Sequence, residues 1–270
     1  MFIPIGLDES KVRRTPWITY GLIGANVLIF VVLWFAQQQS DLESPILRWG
    51  FVPAHPDAFH IVSSMFVHGD WLHLIGNMIF LFLSGPFIED AYGRVLYPVL
   101  YLLSGLVAAG AHAVHNPGSE IPAVGASGAI AGIMGAFLVR YAKRRIVFLW
   151  MPLFPIPWLA RRIRVPAFLY LPFWFFGQVI LSSAGGVASG VAVWAHIGDF
   201  LFGFIVALVI AATGVESKFI ELAIEREVGG AEHTELLRAV EAGSRGDLAE
   251  ARRATGRLLA QDPANLDARR

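Results

Sequence analysis

The sequence predicts an all-α membrane protein, a bundle of six transmembrane helices followed by a short soluble helical tail. Two observations predict it. Of 270 residues, 56% are hydrophobic and only 16% are charged, where a soluble domain carries about 25% charged residues. The apolar residues also gather into windows long enough to cross a bilayer core of about 30 Å, which takes about 20 residues at 1.5 Å each. The 21 basic and 21 acidic side chains cancel, so nothing in the charge balance points to nucleic acid, and 20 Phe with 8 Trp argue against disorder. The chain has no cysteine, which excludes disulfides, thiolate metal sites and cysteine nucleophiles together.

The elements follow in chain order. Residues 1–16 form a short N-terminal segment with Lys11, Arg13 and Arg14. The first span, 17–36, is full length and no small-residue cleavage site closes it, so it is expected to be retained rather than removed as a signal peptide. The second, 71–88, is apolar apart from His73, Asn77 and Ser84, and the third, 94–115, follows after a very short link. The fourth, 125–139, reads GASGAIAGIMGAFLV. It is short and rich in small residues, which suits the crowded centre of a bundle, and its shortness predicts a start below the membrane surface. The fifth and sixth spans are 165–184 and 191–212, the last interrupted by His196 and Asp199. Residues 146–160 are apolar but hold Pro152, Pro155 and Pro157, and read as an interfacial loop.

Basic residues cluster before span one and between spans four and five, where Arg140, Lys143, Arg144, Arg145, Arg161, Arg162 and Arg164 stand with no acid among them. The loop after span one carries Asp41, Glu43, Asp57 and Asp70 against Arg48 alone. Six spans with both termini cytoplasmic satisfy that pattern. From residue 214 the composition turns charged and Ala-rich, with apolar residues at helical spacing. This soluble tail resembles part of a tetratricopeptide repeat, with Gly246, Ala251 and Pro263 roughly placed. One copy cannot bury its own face, and an amphipathic hairpin lying against the basic loops is the alternative. A protein partner for the tail fits either.

Polar groups inside a span are costly and default to function. His73 and Asn77, four residues apart, share one face of span two near its outer end. Ser127 opens span four on its outer side. His196 lies about five residues into span six, roughly 8 Å deep. The topology therefore brings all four to similar depth on one side of the membrane. A serine attacks a carbonyl when a histidine removes its proton, and Ser127 with His196 supplies one of each. Asn77, His73 and the Ser127 backbone N–H are candidate donors to the developing oxyanion, a contribution of about 3 to 4 kcal/mol per donor. Glycines around Ser127, Gly125 among them, remove side chains where a substrate backbone would pass, or simply permit tight helix packing.

His68-x4-His73-x3-Asn77, Gly125-Ala126-Ser127-Gly128 and Ala195-His196-Ile197-Gly198 together resemble the rhomboid family of intramembrane serine proteases. The likeness extends to about residue 213 and includes span count, orientation and motif order. It implies Ser127 as nucleophile, His196 as general base in a dyad without an acid, and His73 with Asn77 lining the oxyanion site. It further implies cleavage, without a cofactor, of transmembrane helices of other membrane proteins near the outer face of a bacterial cell membrane. His68 precedes span two where the family also has a histidine, an assistant to the oxyanion site or a support for the loop.

Two positions depart from the family pattern. Several bacterial members carry an aromatic ring four residues after the serine, stacked on the catalytic histidine, and here that position is Ala131. Three residues after the histidine the family commonly has glycine, and here it is Asp199. At i+3 from His196, Asp199 is expected either to orient the imidazole or raise its pKa by stabilising the charged form, or else to bond elsewhere in the bundle or face water. His112 and His115 read as interfacial, and His55 and His60 carry no signal. Trp174, Phe175 and Phe176 on span five read as packing or lipid-facing aromatics, and residues 185–190 as a mobile lid or a plain connection. Two other function classes remain open. One is a catalytically silent rhomboid-like protein that binds membrane clients. The other is a transporter or metal-handling protein using His68, His73 and His196 as ligands.

Overall fold

The computed structural model describes residues 2–8, 12–39, 44–150, 161–184, 193–215, 238–243 and 245–261. The chain divides into two compact units, Met1–Gly214 and Val215–Arg270. In the first, β1 (Phe2–Leu7) leads to α1 (Trp17–Gln39) and two short helices, α2 (Pro45–Trp49) and α3 (Ala58–Ser64). Then come α4 (Trp71–His115), α5 (Ser127–Tyr141), the strands β2 (Arg145–Trp150) and β3 (Arg161–Pro166), α6 (Ala167–Ala184) and α7 (Val193–Thr213). By length and composition α1, α4 and α7 can each cross a bilayer, and α5 is a shorter apolar helix.

At 45 residues α4 would be about 68 Å long, more than twice the bilayer core. Gly93 interrupts it with φ 77° and ψ 173°, a left-handed conformation that glycine takes without a Cβ clash, so 71–92 and 94–115 are two helices folded back at one residue. The very short link expected from the sequence is thus a single reversal point.

That reversal is fastened to the start of α1. Glu89 is 2% exposed and caps α1, accepting from the Ile18 N–H at 3.0 Å, the Thr19 N–H at 2.8 Å and the Thr19 hydroxyl at 2.7 Å. A carboxylate at a helix N-terminus satisfies orphan donors and complements the dipole. Next to it Arg13 donates from Nε to Asp90 Oδ2 at 3.0 Å and from its backbone N–H to Oδ1 at 3.1 Å. Glu89→Ala is expected to cost about 3 kcal/mol, because charge-assisted bonds are lost and one buried and one part-buried N–H lose their acceptor. The thermal midpoint in detergent measures it, and a midpoint equal to wild type would show that α1 docks without this cap.

The bundle centre is α5, on which residues 128–137 are all buried. Its packing against α7 is main chain on main chain. A Cβ on Gly203 would lie 1.8 Å from the Gly132 carbonyl oxygen, and one on Gly135 would lie 2.1 Å from the Phe200 carbonyl oxygen. The small residues of this segment admit a helix crossing that no larger side chain allows.

The protein is not all-α. β1, β2 and β3 form an antiparallel sheet in that order, with a bulge between Pro4 and Gly6. The N-terminal segment and the first part of the expected interfacial loop therefore hold strands. Val165 and Pro166, expected to open span five, close β3 instead. Alternation explains it: Ile146 and Phe148 are buried toward the bundle, Phe148 meeting Tyr170 edge-on at 4.6 Å, while Arg145 is exposed. Residues 151–160, with the three prolines of the loop, lie outside the described residues, as do residues 185–190. The Trp174, Phe175 and Phe176 side chains lie outside them too.

In the second unit residues 238–243 are helical, Gly246 turns with φ 79°, and α8 (Leu248–Gln261) begins where the Asp247 carboxylate accepts from the Glu250 N–H at 3.0 Å. Ala242 and Ala254 are buried.

Candidate active site

Ser127 is the first residue of α5 and His196 lies in the first turn of α7, and the helix crossing brings their side chains together. His196 Nε2 stands 2.7 Å from Ser127 Oγ. Transfer of the serine proton to Nε2 requires the tautomer that carries hydrogen on Nδ1. Nδ1 is buried and has no hydrogen-bond partner among the described residues. Ala131, in the place of a stacking ring, is buried on α5.

His73 and Asn77 converge on Gly125, two residues before Ser127. A Cβ on Gly125 would lie 2.7 Å from His73 Nε2 and 3.6 Å from Asn77 Nδ2, and its φ of 119° suits glycine alone. The Gly125 N–H donates to the Ser64 carbonyl at 2.8 Å, which anchors the segment entering α5. Asn77 Nδ2 is buried without a partner among the described residues, a donor facing the serine segment and open to an acceptor. The N–H groups of the first turn of α5 have no partner within the helix. Three helix starts, those of α4, α5 and α7, thus carry the four polar residues, and α4 is itself capped by the Asp70 carboxylate, which accepts from the His73 N–H at 2.8 Å.

His68 packs edge-on against His73, ring centroids 5.2 Å apart, and neither of its ring nitrogens has a partner among the described residues. Its ring contact is with His73. Burial, with His73 beside it, pushes the His68 imidazole in the loop before α4 down to about 4. Between about pH 6.5 and 4 an unfolded chain binds a proton here that the folded one refuses, so stability is lost as the pH is lowered through that window, by up to about 3 kcal/mol. Thermal midpoints measured from pH 7 to 4.5 should drop less steeply for His68→Gln than for wild type.

Asp199 is 0% exposed, so it does not face water, and among the described residues neither carboxylate oxygen has a hydrogen-bond partner, His196 Nδ1 included. Oδ2 instead lies against Gly128, where an added Cβ would approach to 2.8 Å. The side chain fills space that glycine leaves on α5.

Further polar groups are buried that the sequence reading passed over: Thr19, Asn26, Glu89, Asp90 and Ser104. The signal for two of them was the Glu89-Asp90 pair at the end of one span, matched by Arg13-Arg14 before another. Among the described residues no three His, Asp or Glu side chains gather as a metal ion requires. His55 pairs with Glu120 at 3.3 Å between surface loops, and His60 on α3 pairs with Asp57, the N-cap of that helix. The Asp57 carboxylate beside it holds the His60 imidazole above its ordinary range.

The bundle and its site define an integral membrane protein carrying a serine–histidine pair among its helices. A family model described as the Rhomboid domain matches residues 55–213, more than half of the chain, and the protein belongs to the rhomboid family. Rhomboid protease AarA of Providencia stuartii is 28% identical over 210 residues, covering 71% of each chain. RHOMBOID-like protein 5 of Arabidopsis thaliana is 28% identical over 154 residues, 57% of this chain and 44% of its own. Rhomboid protease GluP of Bacillus subtilis is 26% identical over 160 residues, 55% of this chain and 31% of its own. The chain thus spans less than half the length of the last two relatives.

Proposed function

We propose that the protein is an intramembrane serine endopeptidase that cleaves transmembrane helices of other membrane proteins near the outer face. The observation that carries this reading is the 2.7 Å contact between Ser127 Oγ and His196 Nε2 inside a helical membrane bundle. Ser127 attacks the scissile carbonyl while His196 takes its proton. The oxyanion receives hydrogen bonds from Asn77 Nδ2, His73 and the N–H groups opening α5. His196 then protonates the departing amine, and water hydrolyses the acyl-enzyme by the same path in reverse. His68 backs His73, and Gly125 keeps the approach clear. Because a helix shields its carbonyls, substrates with helix-weakening residues near the outer end are favoured.

In this reading the membrane domain is 17–213, preceded by the segment 1–16 and followed by the soluble tail 214–270, a repeat-like or hairpin unit that meets a protein partner. α1, the two arms of α4, α5, α6 and α7 make six crossings with both termini in the cytoplasm, as the basic segments around 11–14 and 140–164 require. Relatives described as rhomboid proteases support the activity.

The test is cleavage of a model transmembrane substrate in proteoliposomes, with a fluorophosphonate probe applied to wild type and Ser127→Ala. Wild type is expected to cleave and to label, and Ser127→Ala to do neither. Failure of wild type on both counts against several substrates overturns the reading in favour of a client-binding member of the family. Asp199→Asn is expected to keep the wild-type pH profile of cleavage, since no hydrogen bond among the described residues joins that carboxylate to His196; a shifted acidic limb, where the general base titrates, would restore the orienting role.

A further inference from the structure

The end of the bundle opposite Ser127 carries an array of cations that catalysis does not use. α5 ends at Tyr141, and Lys143, Arg144 and Arg145 follow at once, while Arg161, Arg162 and Arg164 stand on β3. All six are exposed. Arg164 pairs with Asp8 at 3.3 Å. The other five make no ion pair among the described residues, and from 140 to 166 the sequence contains no acid at all.

The sheet holds these groups in place rather than leaving them on a loose loop. β2 and β3 pair over six residues from Arg145↔Pro166 to Trp150↔Arg161. The hairpin is stapled to the end of α5 by the Ala167 N–H donating to the Arg144 carbonyl at 2.8 Å and the Phe168 N–H to the Ala142 carbonyl at 3.1 Å. Arg162 and Arg164, two residues apart on an edge strand, share a face at a spacing of about 7 Å. β3 also runs without a break into α6, whose first turns expose Phe168 and Leu169. Guanidinium groups therefore border directly on exposed apolar side chains. A soluble partner would meet only half of that surface; a phospholipid meets both, phosphate on the cations and chains on the apolar edge.

We propose that the β2–β3 hairpin and the end of α5 form a binding surface for anionic phospholipid headgroups. Several basic side chains at a membrane surface add their attractions to acidic lipid, and salt screens them. This surface does not depend on the protease reading, and the test does not use activity.

The test is native mass spectrometry of the full chain in detergent, titrated with dioleoylphosphatidylglycerol or dioleoylphosphatidylcholine. Wild type is expected to retain phosphatidylglycerol at least about tenfold more tightly, with the preference lost in high salt. Combining Lys143→Gln, Arg145→Gln, Arg161→Gln and Arg162→Gln should bring the two lipids within about twofold. Arg161→Lys with Arg162→Lys, which keeps the charge, should retain the preference, as should Arg252→Gln with Arg253→Gln in α8. Equal retention of both lipids by wild type, an unchanged preference in the fourfold variant, or displacement of the lipid by millimolar inorganic phosphate would overturn the proposal.

Discussion

His196→Ala is expected to lower kcat for substrate cleavage by about 10,000-fold to a million-fold while KM changes little, because it removes the one base that, among the described residues, hydrogen-bonds to the Ser127 hydroxyl. A serine without a base is a weak nucleophile at neutral pH. The substrate helix binds across a larger surface than one imidazole, so affinity should survive. Two companion variants make the result diagnostic. The Ser127→Ala and His196→Ala double variant should be no slower than either single one, since the pair acts as a unit. Asn77→Ala should lose only about 100- to 1000-fold, the scale of one oxyanion donor. Steady-state kinetics in proteoliposomes at saturating substrate give all three. Residual activity of His196→Ala at a tenth of wild type would show that another group takes the serine proton.

The second large effect is structural. Gly203→Ala places a methyl 1.8 Å from the Gly132 carbonyl oxygen and 2.5 Å from its carbon, both main-chain atoms that no rotamer change can move aside. α5 and α7 must part, at an overpacking cost of about 3 kcal/mol or more. Ser127 rides on one helix and His196 on the other, so their 2.7 Å contact opens as the helices separate. A thermal midpoint well below wild type and loss of fluorophosphonate labelling are expected together. Gly24→Ala on α1 provides the contrast, because no atom stands within 4 Å of its Cβ position; there the higher helix propensity of alanine should leave stability equal or slightly raised. Matching midpoints for the two variants would mean that the crossing tolerates a wider spacing.

The four polar residues of the site were legible because hydropathy makes each of them expensive where it stands, and because helix spacing fixes which end of the membrane each one reaches. The crowded place of α5 was legible from its glycines and alanines for the same reason. The sheet was not. β1 and β3 are six residues each, too short to show a period, and β2 is an apolar run whose alternation appears only once Ile146 and Phe148 find the bundle. The setting of Asp199 was not legible for a different reason. Spacing on one helix says which neighbours a side chain can reach along that helix, and the carboxylate went to the space above Gly128 on another. The docking of Glu89 on α1 needed a partner 70 residues away, a pairing that no local pattern announces.

The 15 residues of α5 rise about 22 Å, against a hydrocarbon layer of about 30 Å. In the proposed six-span orientation Arg140 stands at its far end among cations at headgroup level, and the shortfall of about 8 Å falls on the side of Ser127. Bilayer thickness then becomes a variable of the chemistry. In a membrane of longer acyl chains the peptide bond opposite Ser127 lies further from the aqueous boundary of the substrate, and in a thinner one it lies nearer. On the proposed protease reading, the position of the cut is in that sense set by the length of α5, measured from its basic end.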